Sequence, residues 1–165
     1  MVLRVFRRLF LFLVISFTVA LAPVSARADM TIAVTDFRSI GCQFFLGGAV
    51  AEQVRNRLTE ESGWIVVEKG QIAAVAAEQR LNLSGLVDDD TAVKVGKYVG
   101  ARYVIVGSVN GMGDTYTLSA RLVDVETGVG LIGFETTTGE GEEGVFEASR
   151  ILGDQMVMEL GGSED

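Results

Sequence analysis

The chain has 165 residues, with 14 lysines and arginines against 22 aspartates and glutamates, a formal net charge of −8, one cysteine and no histidine. These counts exclude an intramolecular disulfide, Cys–His catalysis and the ordinary zinc sites built from histidine and cysteine. The acidic balance disfavours nucleic acid and anionic lipid as partners and suits a protein partner with a basic patch.

The first segment carries Arg4, Arg7 and Arg8, then an apolar run from Leu9 to Ala22, then Pro23 and Ala26-Arg27-Ala28. This is the three-part layout of a secretory signal peptide over residues 1–28, with Ala26 and Ala28 at the positions a signal peptidase reads and Asp29 as the first mature residue. The apolar run falls short of the ~20 residues that span a bilayer, which weighs against the alternative of an uncleaved anchor. Removing the four arginines of this segment takes the net charge from −8 to −12. What remains is enough for one domain with a real core and not two.

Met30 to Phe37 is short, β-branched and apolar, and predicts a buried strand. Leu46, Val50, Ala51, Val54 and Leu58 recur at helical spacing, with Glu52, Arg55, Asn56 and Thr59 on the opposite face, so an amphipathic helix is expected from Phe45 to Glu61. Ser62-Gly63 stops it. Trp64 to Glu68 reads as a second strand, and Gln71 to Arg80 as a helix with Ile72, Val75 and Ala76 on one face. Asn82-Leu83-Ser84-Gly85 is a turn. Asp88-Asp89-Asp90 opens a third helix, with Ala92, Val95 and Val99 inward and Lys94 and Lys97 outward, and Gly100 ends it. Arg102 to Val109 is the third strand, Gly111-Met112-Gly113-Asp114 a hairpin turn, Thr115 to Val125 the fourth strand, Val129 to Thr138 the fifth, and Glu143 to Leu160 the closing helix. On the fourth strand Tyr116, Leu118, Ala120 and Leu122 share the face expected to bury helices.

The fold class is therefore α/β: a single small domain, in the order βαβααβββα, with a mixed sheet of about five strands and helices packed on it. The first three strands are expected to pair in parallel and the last three to be antiparallel neighbours. Residues 161–165 read as a frayed tail.

Few residues suggest chemistry. Asp88-Asp89-Asp90 lacks the alternating ligands of a calcium loop and suits helix capping. Gly47-Gly48 matches neither phosphate-loop pattern and suits close helix packing. Glu140-Gly141-Glu142-Glu143 reads as a solvated acidic loop before the last helix. Cys42 reads as a small apolar core residue, the alternative being a surface thiol that pairs between chains. Ser39-Ile40-Gly41-Cys42 superficially resembles a lipid-acceptor motif. It lies beyond Asp29, Asp36 and Arg38 and has Ser39 in place of the usual leucine, so acylation is not expected. No pair of carboxylates is selected for glycoside chemistry.

Three stretches form a set: Ile32-Ala33-Val34-Thr35-Asp36-Phe37; then Leu81-Asn82-Leu83-Ser84-Gly85 with Val95-Gly96-Lys97 and Val99-Gly100-Ala101; and Tyr103 to Val109 running on to Ala120-Arg121-Leu122-Val123-Asp124-Val125-Glu126-Thr127-Gly128. The set resembles the CsgG/LpoB-like family of curli-secretion channel proteins and penicillin-binding-protein activators, similar in fold to the TolB N-terminal domain. The resemblance spans Ile32 to Leu160, inside a domain placed at residues 29–160. It implies a non-catalytic domain on the periplasmic side of the envelope, working through contact with an envelope protein or with a copy of itself, with no cofactor, metal or membrane span after signal cleavage. The long linker of the activators and the membrane hairpins of the channel proteins have no counterpart in this sequence. The alternatives are a periplasmic small-ligand binder or enzyme with an unrecognised carboxylate-based site and, furthest from the pattern, a secretion-channel subunit. The residues singled out for contact with a partner are Asn82, Leu83, Ser84 and Gly85 in the turn and Glu140, Glu142 and Glu143 in the acidic run.

Overall fold

An interior strand, β1 (Thr31–Val34), sets the parallel part of the sheet, because its neighbours on both sides run parallel to it. The computed structural model describes residues 30–61, 63–81 and 88–161. After β1 come β2 (Arg38–Ile40), α1 (Leu46–Glu61), β3 (Ile65–Val66), α2 (Lys69–Glu78), α3 (Asp89–Val99), β4 (Tyr103–Met112), β5 (Thr115–Asp124), β6 (Gly130–Thr138) and α4 (Gly141–Gly161). The sheet order is β3-β1-β4-β5-β6, with β2 also beside β4. β1 pairs in parallel with β3 and β4, and β4, β5 and β6 are successive antiparallel neighbours, as the pattern of helical crossovers and tight turns requires.

Helices cover both faces. On one face α1 brings Val50, Val54 and Leu58, and α4 brings Ala148, Leu152 and Met156, against Ile32, Ile105 and the inward face of β5, where Tyr116, Leu118, Ala120 and Leu122 are buried. On the other face α3 sets Ala92, Val95 and Val99 against Ala33, Val104, Val106 and Val123, with Ile72 of α2 alongside. This second layer covers only part of the sheet. Beyond it the face continues as Ser108, Thr117, Ser119, Glu135 and Thr137, where Ser119 donates to Glu135 and the two threonine hydroxyls lie 3.2 Å apart.

The helix ends follow local rules. The Asp88 carboxylate accepts from Thr91 N at 2.7 Å and caps α3. That bond to the backbone holds Asp88 below the usual aspartate range. Asp89 sits in the first turn and pairs with Arg121 Nη2 at 2.6 Å. Gly100 ends the helix in the left-handed region at φ 71°.

Four expectations change. The first strand stops at Val34 rather than Phe37, and a separate short strand, β2, follows. Val34 pairs with Ile105 and Arg38 with Ser108, four steps against three, so one residue is in excess and the strand breaks as at a bulge. Gly111 and Met112 are still strand residues, paired with Tyr116 and Thr115, and the hairpin turn is Gly113-Asp114 alone. Arg55 is buried rather than on a solvated face, because its Nη2 donates to Val34 O at 2.8 Å across the end of β1. The closing helix starts at Gly141 rather than Glu143, so Glu142 joins Glu143 in the first turn of α4, where carboxylates suit the helix dipole. Cys42 is half-buried at the edge of the core, its thiol 3.5 Å from Val109 O. Among the described residues no helix is long and apolar enough to cross a membrane.

Candidate interaction surface

The connection from β1 to α1 builds one wall of an open concavity. Thr35 N and Oγ1 both donate to Ile105 O, at 3.0 and 3.1 Å, and end β1. Phe37 N then donates to Gly47 O at 3.3 Å. A Cβ on Gly47 would collide with the Phe37 carbonyl, and one on Gly107 would lie 2.6 Å from Phe37 Cε2. The two glycines let this connection press onto helix and sheet together. Ser39 Oγ accepts from Gly47 N at 2.9 Å and donates to Phe44 O at 3.0 Å, fixing the loop that leads into α1.

That loop holds two aromatic rings outward. Phe44 is 90% exposed and Phe45 is 50% exposed, and their rings meet edge to face at 6.1 Å between centroids. Between them and α2 lies an open groove of about 870 Å³, with Lys69 Nζ 2.9 Å from Asp36 Oδ1 on its floor and Arg38 on its rim. The groove opens at the carboxyl ends of β1 and β3, the edge at which open α/β sheets take their ligands.

The same pole gathers the hairpin tip and the start of α4. Gly141 N donates to Asp114 O at 2.9 Å, and Met112 at the tip is exposed. Gln43 Nε2 and Tyr116 OH each reach a Glu142 carboxylate oxygen at 3.5 Å. Burial pushes the Tyr116 phenol up, and the neighbouring Glu142 charge adds to the rise. Phe146, one turn further along α4, is also exposed. Glu140, Glu142 and Glu143 are all exposed here, so the acidic run and the aromatic pair share one end of the domain. Asn82, Leu83, Ser84 and Gly85 lie outside the described residues, as do Ala26, Ala28 and Asp29. Phe44, Phe45, Arg38 and Lys69 were not singled out by sequence. The available signal was two adjacent aromatics just before a Gly-Gly pair, where a polar helix entry is the norm.

Among the described residues no three histidine, cysteine, aspartate or glutamate side chains gather as a metal site would require. The family model of the peptidoglycan-synthase activator LpoB matches residues 48–132, just over half of the chain. The chain belongs to the LpoB family. Its fold is similar to the LpoB C-terminal domain from Salmonella enterica, at a TM-score of 0.57 and 21% identity, over 70% of this chain and 86% of that one. It is similar also to lipoprotein GNA1162 from Neisseria meningitidis, at 0.54 and 21%, over 82% and 99%. TolB from Acinetobacter baumannii gives 0.54 and 17%, over 80% of this chain and 28% of the other, which is the fold relation expected for a TolB-like domain. No curated protein matches the chain in sequence. As an LpoB-family member the chain is a non-catalytic protein-interaction domain of the cell envelope, on the periplasmic side.

Proposed function

We propose that this domain activates a peptidoglycan synthase by docking to it through the pole that carries Phe44 and Phe45. The observation that carries the reading is the Phe44 ring, almost wholly in water at the mouth of a formed groove in a domain of an activator family. An exposed aromatic on a rigid, hydrogen-bonded loop is preorganised to anchor a partner. Covering it contributes roughly 1.5–3 kcal/mol of binding. Met112 and Phe146 extend the apolar area, and Glu140, Glu142 and Glu143 give it an acidic rim that steers a partner with basic residues.

The test is stimulation of glycan polymerisation by a purified synthase from the same organism. The mature chain raises the rate, and Phe44→Ala abolishes the rise without changing the melting temperature. A variant that stimulates as well as the parent removes Phe44 from the interface and the pole with it.

A further inference from the structure

The charges around the groove run against those of the domain. On a chain of net charge −8 the groove carries Arg38, Lys69 and Asp36. Lys69 and Asp36 neutralise one another at 2.9 Å. Arg38 is exposed, and its side chain has no hydrogen-bond or ion-pair partner among the described residues. α1 starts at this point with no acidic residue in its first turn, whereas α3 and α4 each have two. The positive end of its dipole is therefore left without a counter-charge from its own turn.

A second observation lies beneath. Arg55 is 5% exposed, with Nη2 on Val34 O and Nη1 on Glu52, while its buried Nε has no acceptor among the described residues. A buried N–H without an acceptor is costly and calls for a partner. Arg55 lines a small cavity of about 50 Å³ that shares Asp36, Lys69 and Ala73 with the groove. A water needs roughly 10–15 Å³ measured in this way, so the cavity beside the guanidinium has room for one.

We infer that the groove receives a side-chain carboxylate carried on an apolar segment of the partner protein. The carboxylate pairs with Arg38 over the start of α1, and its apolar neighbours lie on Phe44 and Phe45. Arg55 beneath is charge-paired with Glu52, so the positive charge that meets the carboxylate is that of Arg38. The rest of the surface is acidic and selects basic residues around the rim, so the partner offers one acid inside a basic surround. This inference rests on the docking reading above.

The experiment uses the mature chain and three short capped peptides, Gly-Leu-Glu-Phe-Gly and its counterparts with Gln or Lys in place of Glu, followed by NMR. The Glu peptide shifts the amides of Gly48, Ala49 and Lys69 saturably. The Gln peptide binds about fivefold more weakly, the scale of one exposed ion pair, and the Lys peptide more weakly still. In Arg38→Gln the Glu and Gln peptides become equal at an unchanged melting temperature, which a merely structural Arg38 does not produce. Equal affinities in the parent, a preference that survives Arg38→Gln, or no binding at all overturns the inference. Acetate reproducing the same shifts also overturns it, in favour of a small-molecule site. Synthase stimulation measured on the same samples separates the two ideas. Stimulation without a carboxylate preference removes this inference and leaves the docking reading standing, and a preference without stimulation removes the docking reading.

Discussion

Arg102 Nη2 donates to Asp124 Oδ2 at 3.0 Å, tying the entry of β4 to the end of β5. The other oxygen of Asp124 accepts from Glu126 N and Thr127 N, both at 2.8 Å, and so shapes the turn into β6. The Asp-Val-Glu-Thr-Gly signature is thus a carboxylate that closes its own turn, with Gly128 at φ 72° completing it.

The backbone bond from Thr127 is the leading cause holding Asp124 below the usual aspartate range, ahead of Glu126 N and Arg102. A depressed carboxylate contributes stability above its unfolded pKa and loses it as pH falls through the folded one. Thermal unfolding followed downward from pH 7 therefore shows the parent losing stability below about pH 4, with Asp124→Ala already lowered by several degrees near neutrality and flatter in acid. Parallel profiles for the two proteins would remove the turn from the account of stability.

Gly47→Ala tests the wall of the groove. Its Cβ meets a backbone carbonyl, that of Phe37, which cannot rotate away as a side chain does. The expected loss is about 1–3 kcal/mol in urea unfolding, accompanied by weaker docking because the loop bearing Phe44 is displaced. An unchanged midpoint would show that the connection yields without cost.

Phe44→Ala separates binding from folding. The ring is nearly all in water, so unfolding free energy stays within about 0.5 kcal/mol of the parent. Affinity for the partner falls by roughly tenfold or more. Calorimetry on the parent and the variant reads both quantities.

Export is expected to cut the chain between Ala28 and Asp29. Amino-terminal sequencing of protein recovered from the periplasmic fraction should begin at Asp29. Recovery of an intact Met1 would show the segment acting as an anchor instead.

The sheet was legible because its information is local and periodic. Tyr116, Leu118, Ala120 and Leu122 alternate as a strand must, and Asp88 and Gly100 bracket α3 in sequence as they do in space. β2 was not legible. Arg38-Ser39-Ile40 has no period of its own and becomes a strand only because β4 continues beyond the end of β1. Arg55 failed for a related reason: helical spacing places it with Glu52 and Asn56, but the carbonyl it serves belongs to Val34, distant in the chain. The candidate surface was half visible. The acidic run Glu140 to Glu143 stood out as charge, whereas Phe45 read as the start of an amphipathic helix and Phe44 carried no signal of its own. Their exposure is a consequence of Ser39 and Gly47 fixing the loop, which no periodicity encodes.

The two core-face helices run side by side in the same direction. Arg57 in the last part of α1 pairs with Asp154 of α4, and a Cβ on Gly153 would lie 2.9 Å from that of Arg57. α1 leads towards β3, whose first amide bonds Met30 O at 2.9 Å. Both ends of the described domain, at Met30 and at Gly161, therefore lie away from Phe44. Tethering the domain through Met30 or through Gly161 therefore leaves the groove facing free solution.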